Sequence, residues 1–268
     1  LTKTSDDILS AAAIAAATHT RWLGRPVYYW PAVGSTNDEL KRLAEAGAPE
    51  GTLAIADEQT AGRGRLERSW LAPPGSSLLM SLLFRPTFLP PARIQQLTMI
   101  CALALADAVA EVTGVEVDLK WPNDIQLSGK KLAGILTELG FDAALRPAWA
   151  VVGTGLNVNL DFAGLPQLVD MATSLSLTLG RLVPRLPLLR AYLASLEARY
   201  DALRTGATAH HEWADRLATL GKSVTITTAS GEHAGVAEAV DDTGALLLRR
   251  CTDGILMRIL AGDVTLRR

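Results

Sequence analysis

Two mainly apolar runs, residues 52–56 and 77–84, flank a stretch with almost nothing to pack. Each run has the length and aliphatic character of a strand buried on both faces. Between them, residues 57–70 read Asp-Glu-Gln-Thr-Ala-Gly-Arg-Gly-Arg-Leu-Glu-Arg-Ser-Trp. Such a segment builds no core of its own. The fold must carry it as a loop between two core strands, mobile until an anion arrives. Gly62 and Gly64 let backbone N–H groups approach a ligand closely. Arg63, Arg65 and Arg68 offer planar donor forks suited to carboxylate or phosphate. Composition alone favours a plain solvated basic loop, and the motifs downstream reverse that preference.

A chain of 268 residues has room for one large domain and a small one, or for two of middling size. With 49% hydrophobic and 20% charged residues it can bury a sizeable core. The net charge of −2 argues against a general nucleic-acid binder, which carries a basic surplus. Cys101 and Cys251, far apart in apolar surroundings, read as two buried thiols in a reducing cytoplasm. The alanine-rich stretch 8–17 is short and follows Asp6 and Asp7, unlike a signal peptide. No run reads as long enough to span a membrane.

In chain order, a helix opens at Ser5, Asp6 and Asp7 and runs to about Thr18, within a helical extension over residues 1–26. Residues 27–33 read as a strand. Gly34-Ser35-Thr36-Asn37 follows, with Thr36 and Glu39 spaced as a capping box at the start of a helix to about Ala46. Plain capping therefore competes with ligand binding at Thr36. Pro91 suits the first position of a helix, and Ile94, Leu97, Cys101, Leu105, Ala108 and Val112 give it one apolar face. Residues 117–121 and 125–127 read as strands around Pro122, which interrupts pairing. Residues 131–138 form another strand, where Gly134 marks a bulge or a ligand close to the backbone. Residues 149–152 lead into Gly153-Thr154-Gly155, which lacks the third glycine and the helix of a dinucleotide fingerprint. A short helix lies within 166–181, a long one over 187–203 and another over 212–217. Beyond Gly221, strands at 223–228, 234–240, 245–250 and 255–260 read as a small barrel of SH3-like type. The division is 1–219 and 220–268.

Five segments, in order, resemble biotin protein ligases: Gly-Ser-Thr-Asn at 34–37, Gln-Thr-Ala-Gly-Arg-Gly-Arg at 59–65, Lys-Trp-Pro-Asn-Asp at 120–124, Lys-Lys-Leu-Ala-Gly-Ile-Leu at 130–136 and Gly-Thr-Gly-Leu-Asn-Val-Asn at 153–159. They cover residues 27–159. The resemblance implies an α+β fold, with a mixed sheet flanked by helices as in class II aminoacyl-tRNA synthetases and a C-terminal SH3-like barrel. It implies that ATP, with Mg2+, activates biotin as biotinyl-5′-AMP, and that the biotinyl group passes to a lysine of a biotin carboxyl carrier protein. Neither a nucleic acid nor a membrane is an expected partner; a homodimer is compatible.

By the same resemblance, Ser35, Thr36, Asn37 and Gln59 recognise the polar end of biotin, and Gly134 leaves space for its apolar part. Arg63, Gly64 and Arg65 fold over the adenylate. Lys131 faces the attacking carboxylate, and Asn123 and Asp124 hold the triphosphate or orient the incoming lysine. Trp70 stacks on adenine and Asn157 contacts the nucleotide. The catalytic assignment is Lys131, Arg63 and Asp124; no metal ligand is assigned. Trp70 and Trp121 also suit a core, Lys120 a structural pair with Asp124, and Asn157 and Asn159 a turn. Glu67 stands where the family's loop usually has glycine, and is expected to point outward and pair with Arg68. The N-terminus reads as too short for a DNA-binding domain, which points to a ligase-only branch. A lipoate or octanoyl transferase and a biotin-dependent transcription regulator are the rival readings.

Overall fold

The computed structural model describes residues 9–66 and 68–266. The proposed start at Ser5, and Glu67 with its pairing, lie outside them.

Helix α1 (Ala11–Ala17) is capped by Ser10, whose side chain accepts from the Ala13 N–H. Strand β1 (Val27–Trp30) ends earlier than its sequence indicates; Val33 makes only an isolated bridge to Gln59. Helix α2 (Thr36–Glu45) precedes β2 (Leu53–Ala56) and β3 (Ser77–Phe84). The capping box is a correction. Ser35, not Thr36, is the N-cap, and it makes no side-chain cap bond. The Thr36 hydroxyl instead donates to Gln59 and accepts from Ser81 Oγ.

Helix α3 (Gln96–Thr113) follows a short 3-10 turn at Pro91–Arg93. It is no one-faced amphipathic helix, for its first eleven residues are all buried. The segment Pro91–Thr113 is long and apolar enough to cross a membrane by composition, contrary to the reading above, but it forms core, with 72% of its most apolar window buried. Strands β4 (Asp118–Lys120), β5 (Asp124–Leu127), β6 (Lys130–Phe141) and β7 (Pro147–Asn157) complete the first sheet. The β5–β6 register shifts where Ala133 and Lys131 take successive partners, so the irregularity falls at Leu132 rather than Gly134. Helices α4 (Leu175–Leu179), α5 (Arg185–Arg204) and α6 (His210–Asp215) lead to β8 (Ser223–Thr228), β9 (Gly231–Val240), β10 (Leu246–Arg250), β11 (Leu256–Ile259) and β12 (Asp263–Leu266).

The seven-stranded sheet has the order β1-β2-β3-β7-β6-β5-β4, with β1 and β2 parallel and the other pairs antiparallel. Because β3 lies centrally with both faces covered, its run is apolar without alternation. Helices α3 and α5 share one core cluster with this sheet. On the other face Leu40 and Ala44 of α2 pack on Ala54, Leu83 and Val151.

The five-stranded antiparallel sheet has the order β11-β10-β9-β8-β12. Trp121, 1% exposed, pins it to the larger sheet: its indole donates to the Gly244 carbonyl at 2.9 Å. Cys101 is buried, and burial pushes its thiol up to about 12. Cys251 is exposed in the turn after β10, not buried as its apolar neighbours indicate. Turn residues turn outward whatever their flanks.

Candidate active site

The β2–β3 loop does not lie open in solvent. It folds back as a narrow hairpin: Gly64 N–H donates to Arg68 O at 2.6 Å and Trp70 N–H to Gly62 O at 2.9 Å. The hairpin leans over the sheet where β6 and β7 carry paired glycines, Gly134 opposite Gly155. Without side chains there, the strands leave a flat floor. The Trp70 indole lies on it: a Cβ at Gly155 would sit 2.6 Å from the ring, and one at Gly134 3.2 Å. Trp70 Nε1 is buried with no hydrogen-bond partner among the described residues.

Around this floor is a cavity of about 290 Å³. Every sequence-predicted site residue lines it except Ser35, which is buried at the α2 N-cap. At one end, Thr36 donates to Gln59 Oε1 from both its backbone N–H, at 2.7 Å, and its hydroxyl, at 2.9 Å. Asn37 Nδ2 donates to Glu138 Oε2 at 2.7 Å, and Asn37 Oδ1 lies 2.6 Å from Ser81 Oγ. Gly153 permits this, because a Cβ there would meet Asn37 Oδ1 at 2.2 Å.

At the other end, Lys131 Nζ lies 2.7 Å from Asp124 Oδ1 and 5.6 Å from the Trp70 ring centroid. Asp124 therefore pairs with Lys131, and no Lys120–Asp124 ion pair forms among the described residues. Asn123 spans neighbouring strands, donating to Ile135 O at 2.6 Å, and receives Arg65 Nη1 at 3.1 Å. Burial lowers the Arg65 guanidinium below its ordinary value, and the Asp263 and Asp124 carboxylates offset this only in part. Arg68 pairs with Asp263 of β12, so the barrel contributes a carboxylate to the cavity wall. Arg63 is held at the rim by Asp38, at 2.5 Å, and Glu138, at 3.3 Å. None of these arginines is the free cation that the loop's composition indicates. Exposed pairs of this kind are worth only about 0–1 kcal/mol, so a ligand anion displaces them at small cost.

Asn157 lines the cavity and also donates to Thr173 O at 3.0 Å. Asn159 instead makes two bonds of 2.9 Å with the Val183 backbone. Sequence reasoning missed Ser81, Glu138, Asp38 and Asp263. Only Ser81 had a signal, a hydroxyl in the middle of a strand buried throughout, which must find a partner.

Two family profiles match the chain: the biotin/lipoate A/B protein ligase family over residues 29–155, and the biotin protein ligase C-terminal domain over 219–267. The bifunctional ligase/repressor BirA of Bacillus subtilis (strain 168) is 36% identical over 261 residues, 96% of this chain and 79% of the relative. The chain belongs to the biotin protein ligase family. Biotin--[acetyl-CoA-carboxylase] ligase of Mycobacterium tuberculosis is 35% identical over 86% of this chain and 85% of its own length. The structure of biotin protein ligase from Aquifex aeolicus in complex with biotin and ATP superposes with a TM-score of 0.76 at 28% identity, covering 90% of this chain and 98% of that one.

Proposed function

We propose that this family member condenses biotin with ATP to biotinyl-5′-AMP and then transfers the biotinyl group to a lysine of a biotin carboxyl carrier protein. The observation that carries the reading is the joining of two unlike surfaces in one cavity. A flat glycine floor suits an apolar ring and chain, and Lys131, Arg63, Arg65 and Arg68 approach it from the rim.

In the first step the biotin carboxylate forms a bond to the α-phosphorus, and the bond to the leaving pyrophosphate breaks. Lys131 and Arg65 offset the negative charge that gathers there, so catalysis is chiefly positioning and electrostatic stabilisation. Thr36, Asn37 and Gln59 orient the ureido group, Arg63 and Gly64 close over the adenylate, and Asn157 meets the nucleotide. Trp70 offers an unpaired indole N–H to a ligand acceptor besides its ring face. In the second step the carrier amine attacks the acyl carbon, AMP leaves with the bonding electrons, and the amine proton is lost. Asp124 orients the amine once ligand binding has drawn Lys131 away.

A Mg2+ ion bound with ATP would offset phosphate charge, and Asn123 and Asp124 would supply oxygen donors of the kind that hold such an ion together with phosphates. Among the described residues no group of three or more His, Cys, Asp or Glu forms a metal cluster. We place the boundary of the catalytic region at residues 219/220, supported by the start of the C-terminal profile at 219. A homodimer is favoured by exposed Phe141 and Leu145 near the β6–β7 turn, and light scattering tests it. A cytoplasmic location accords with the carrier substrate.

The deciding experiment is isotopic exchange of pyrophosphate into ATP. Exchange that requires biotin and is not supported by lipoate is the expected result; the reverse dependence overturns the reading in favour of a lipoate ligase.

A further inference from the structure

Arg185 opens α5, and its side chain is 1% exposed. Two physical costs meet there. A guanidinium leaves water, and it stands at a helix N-terminus, where the backbone dipole disfavours positive charge. Part of the compensation comes from the ligand-facing loop. Arg185 Nη1 lies 2.6 Å from Asp57 Oδ1 and 3.3 Å from the Ser77 carbonyl. Asp57 directly follows β2 and Ser77 begins β3, so one guanidinium reaches both stems of the loop that carries Gln59, Arg63, Gly64, Arg65 and Trp70.

The clamp has further anchors. The Tyr29 hydroxyl donates to Asp57 Oδ2 at 2.9 Å, and Gly75 N–H donates to Asp57 O at 3.1 Å. Asn159 copies a backbone pair with Val183, which fixes the chain two residues before Arg185. The Asn159 N–H also donates to Ser76 O at 2.6 Å. The last asparagine of the Gly-Thr-Gly-Leu-Asn-Val-Asn segment thus holds both the clamp and the stem it grips.

We propose that Arg185 is a positioning residue for this reaction: by stapling the two stems of the loop, it keeps the hairpin closed over the acyl-adenylate. It touches no reacting atom and lines no part of the cavity. Its effect is to limit how far the hairpin swings from the floor, and hence how quickly the intermediate escapes. The inference rests on the reaction proposed above.

The test uses full-length Arg185→Gln, Arg185→Lys and Tyr29→Phe. Single-turnover formation of biotinyl-5′-AMP is measured at saturating biotin and ATP, and its release without acceptor. Amide exchange of residues 59–70 is followed without ligand. Arg185→Gln should release the intermediate about tenfold faster, the scale of one charge-assisted hydrogen bond, with formation changed much less. Arg185→Lys should recover most of the retention, and loop exchange should be faster only in the glutamine variant. Parent-like release by a folded Arg185→Gln overturns the proposal. So does an equal fall in formation and retention that lysine does not rescue, the mark of a purely structural role. If Arg185→Gln does not fold, Tyr29→Phe decides: slightly faster release supports the clamp and unchanged release overturns it. A parent chain that forms no adenylate refutes the reaction instead, and the exchange measurement still judges the clamp.

Discussion

The Lys131 ammonium is paired with the Asp124 carboxylate at 2.7 Å, across adjacent strands and out of register, since Lys131 lies opposite Gln126 and Asp124 opposite Gly134. The lysine proposed to act in adenylation is thereby held in place, but with its charge already answered. A biotin carboxylate arriving there competes with Asp124, so the ammonium yields little ground-state affinity and more as charge gathers on the phosphorus. Lys131→Ala should lower single-turnover adenylate formation by about a hundredfold or more, the scale of a lost electrostatic donor. Biotin affinity, followed by calorimetry, should fall far less. An adenylation rate near that of the parent would remove Lys131 from the chemistry.

The glycine floor makes a steric prediction. At Gly155 an added methyl would meet the rigid Trp70 ring at 2.6 Å rather than the end of a flexible chain. Gly155→Ala should shift the indole and raise the KM for biotin by about tenfold, comparable to the cost of overpacking a filled site. Trp70→Phe combined with Gly155→Ala should recover part of this loss. If the alanine variant binds biotin as the parent does, Trp70 does not share the ligand's floor.

The contact between Arg68 and Asp263 predicts coupling between the barrel and the loop. The arginine side chain is 67% exposed, so the pair should contribute no more than about 1 kcal/mol to stability. Asp263→Asn should leave the melting temperature almost unchanged while speeding tryptic cleavage after Arg63 and Arg65. Biotin with ATP should restore protection. Equal cleavage of parent and variant, with and without ligands, would show that the barrel does not restrain the hairpin.

Acid stability should depend on Asp241. Burial would raise its carboxyl, but the Thr243 hydroxyl, the Arg258 guanidinium and the N–H groups of Ala245 and Thr243 outweigh this and lower it to about 2. A carboxyl depressed on folding stabilises the native state above its unfolded value near 3.8, and that contribution is lost as pH falls towards 2. The group is only partly buried, so the effect should be about 1 kcal/mol or less after screening. Asp241→Asn should flatten the denaturation midpoint between pH 4 and 2 while lowering it at pH 7. A parallel offset at every pH would assign the residue a neutral hydrogen-bonding role.

Much of the molecule was legible in local pattern. The run at 77–84 coincides with β3, and 223–228 with β8, because burial on both faces or regular alternation marks a strand within a few residues. The assigned site residues, Ser35 apart, line one cavity because they sit at strand ends, a helix start, glycine gaps or the loop that folds over them. Tertiary structure alone decided which groups meet. Arg185 is 128 positions from Asp57, and Arg68 is 195 from Asp263. Partners that distant leave no local periodicity, since their pairing depends on sheet order and helix packing. The same reason separates Thr36 from its expected cap: its hydroxyl donates to Gln59 from the loop and accepts from Ser81 of a distant strand at 2.7 Å, so both partners come from other segments rather than from the helix's own N–H groups. Residue chemistry and spacing determined what the chain can recognise. The crossing of the loop over a glycine-floored sheet, clamped from behind by a buried arginine, was settled only when distant segments packed together.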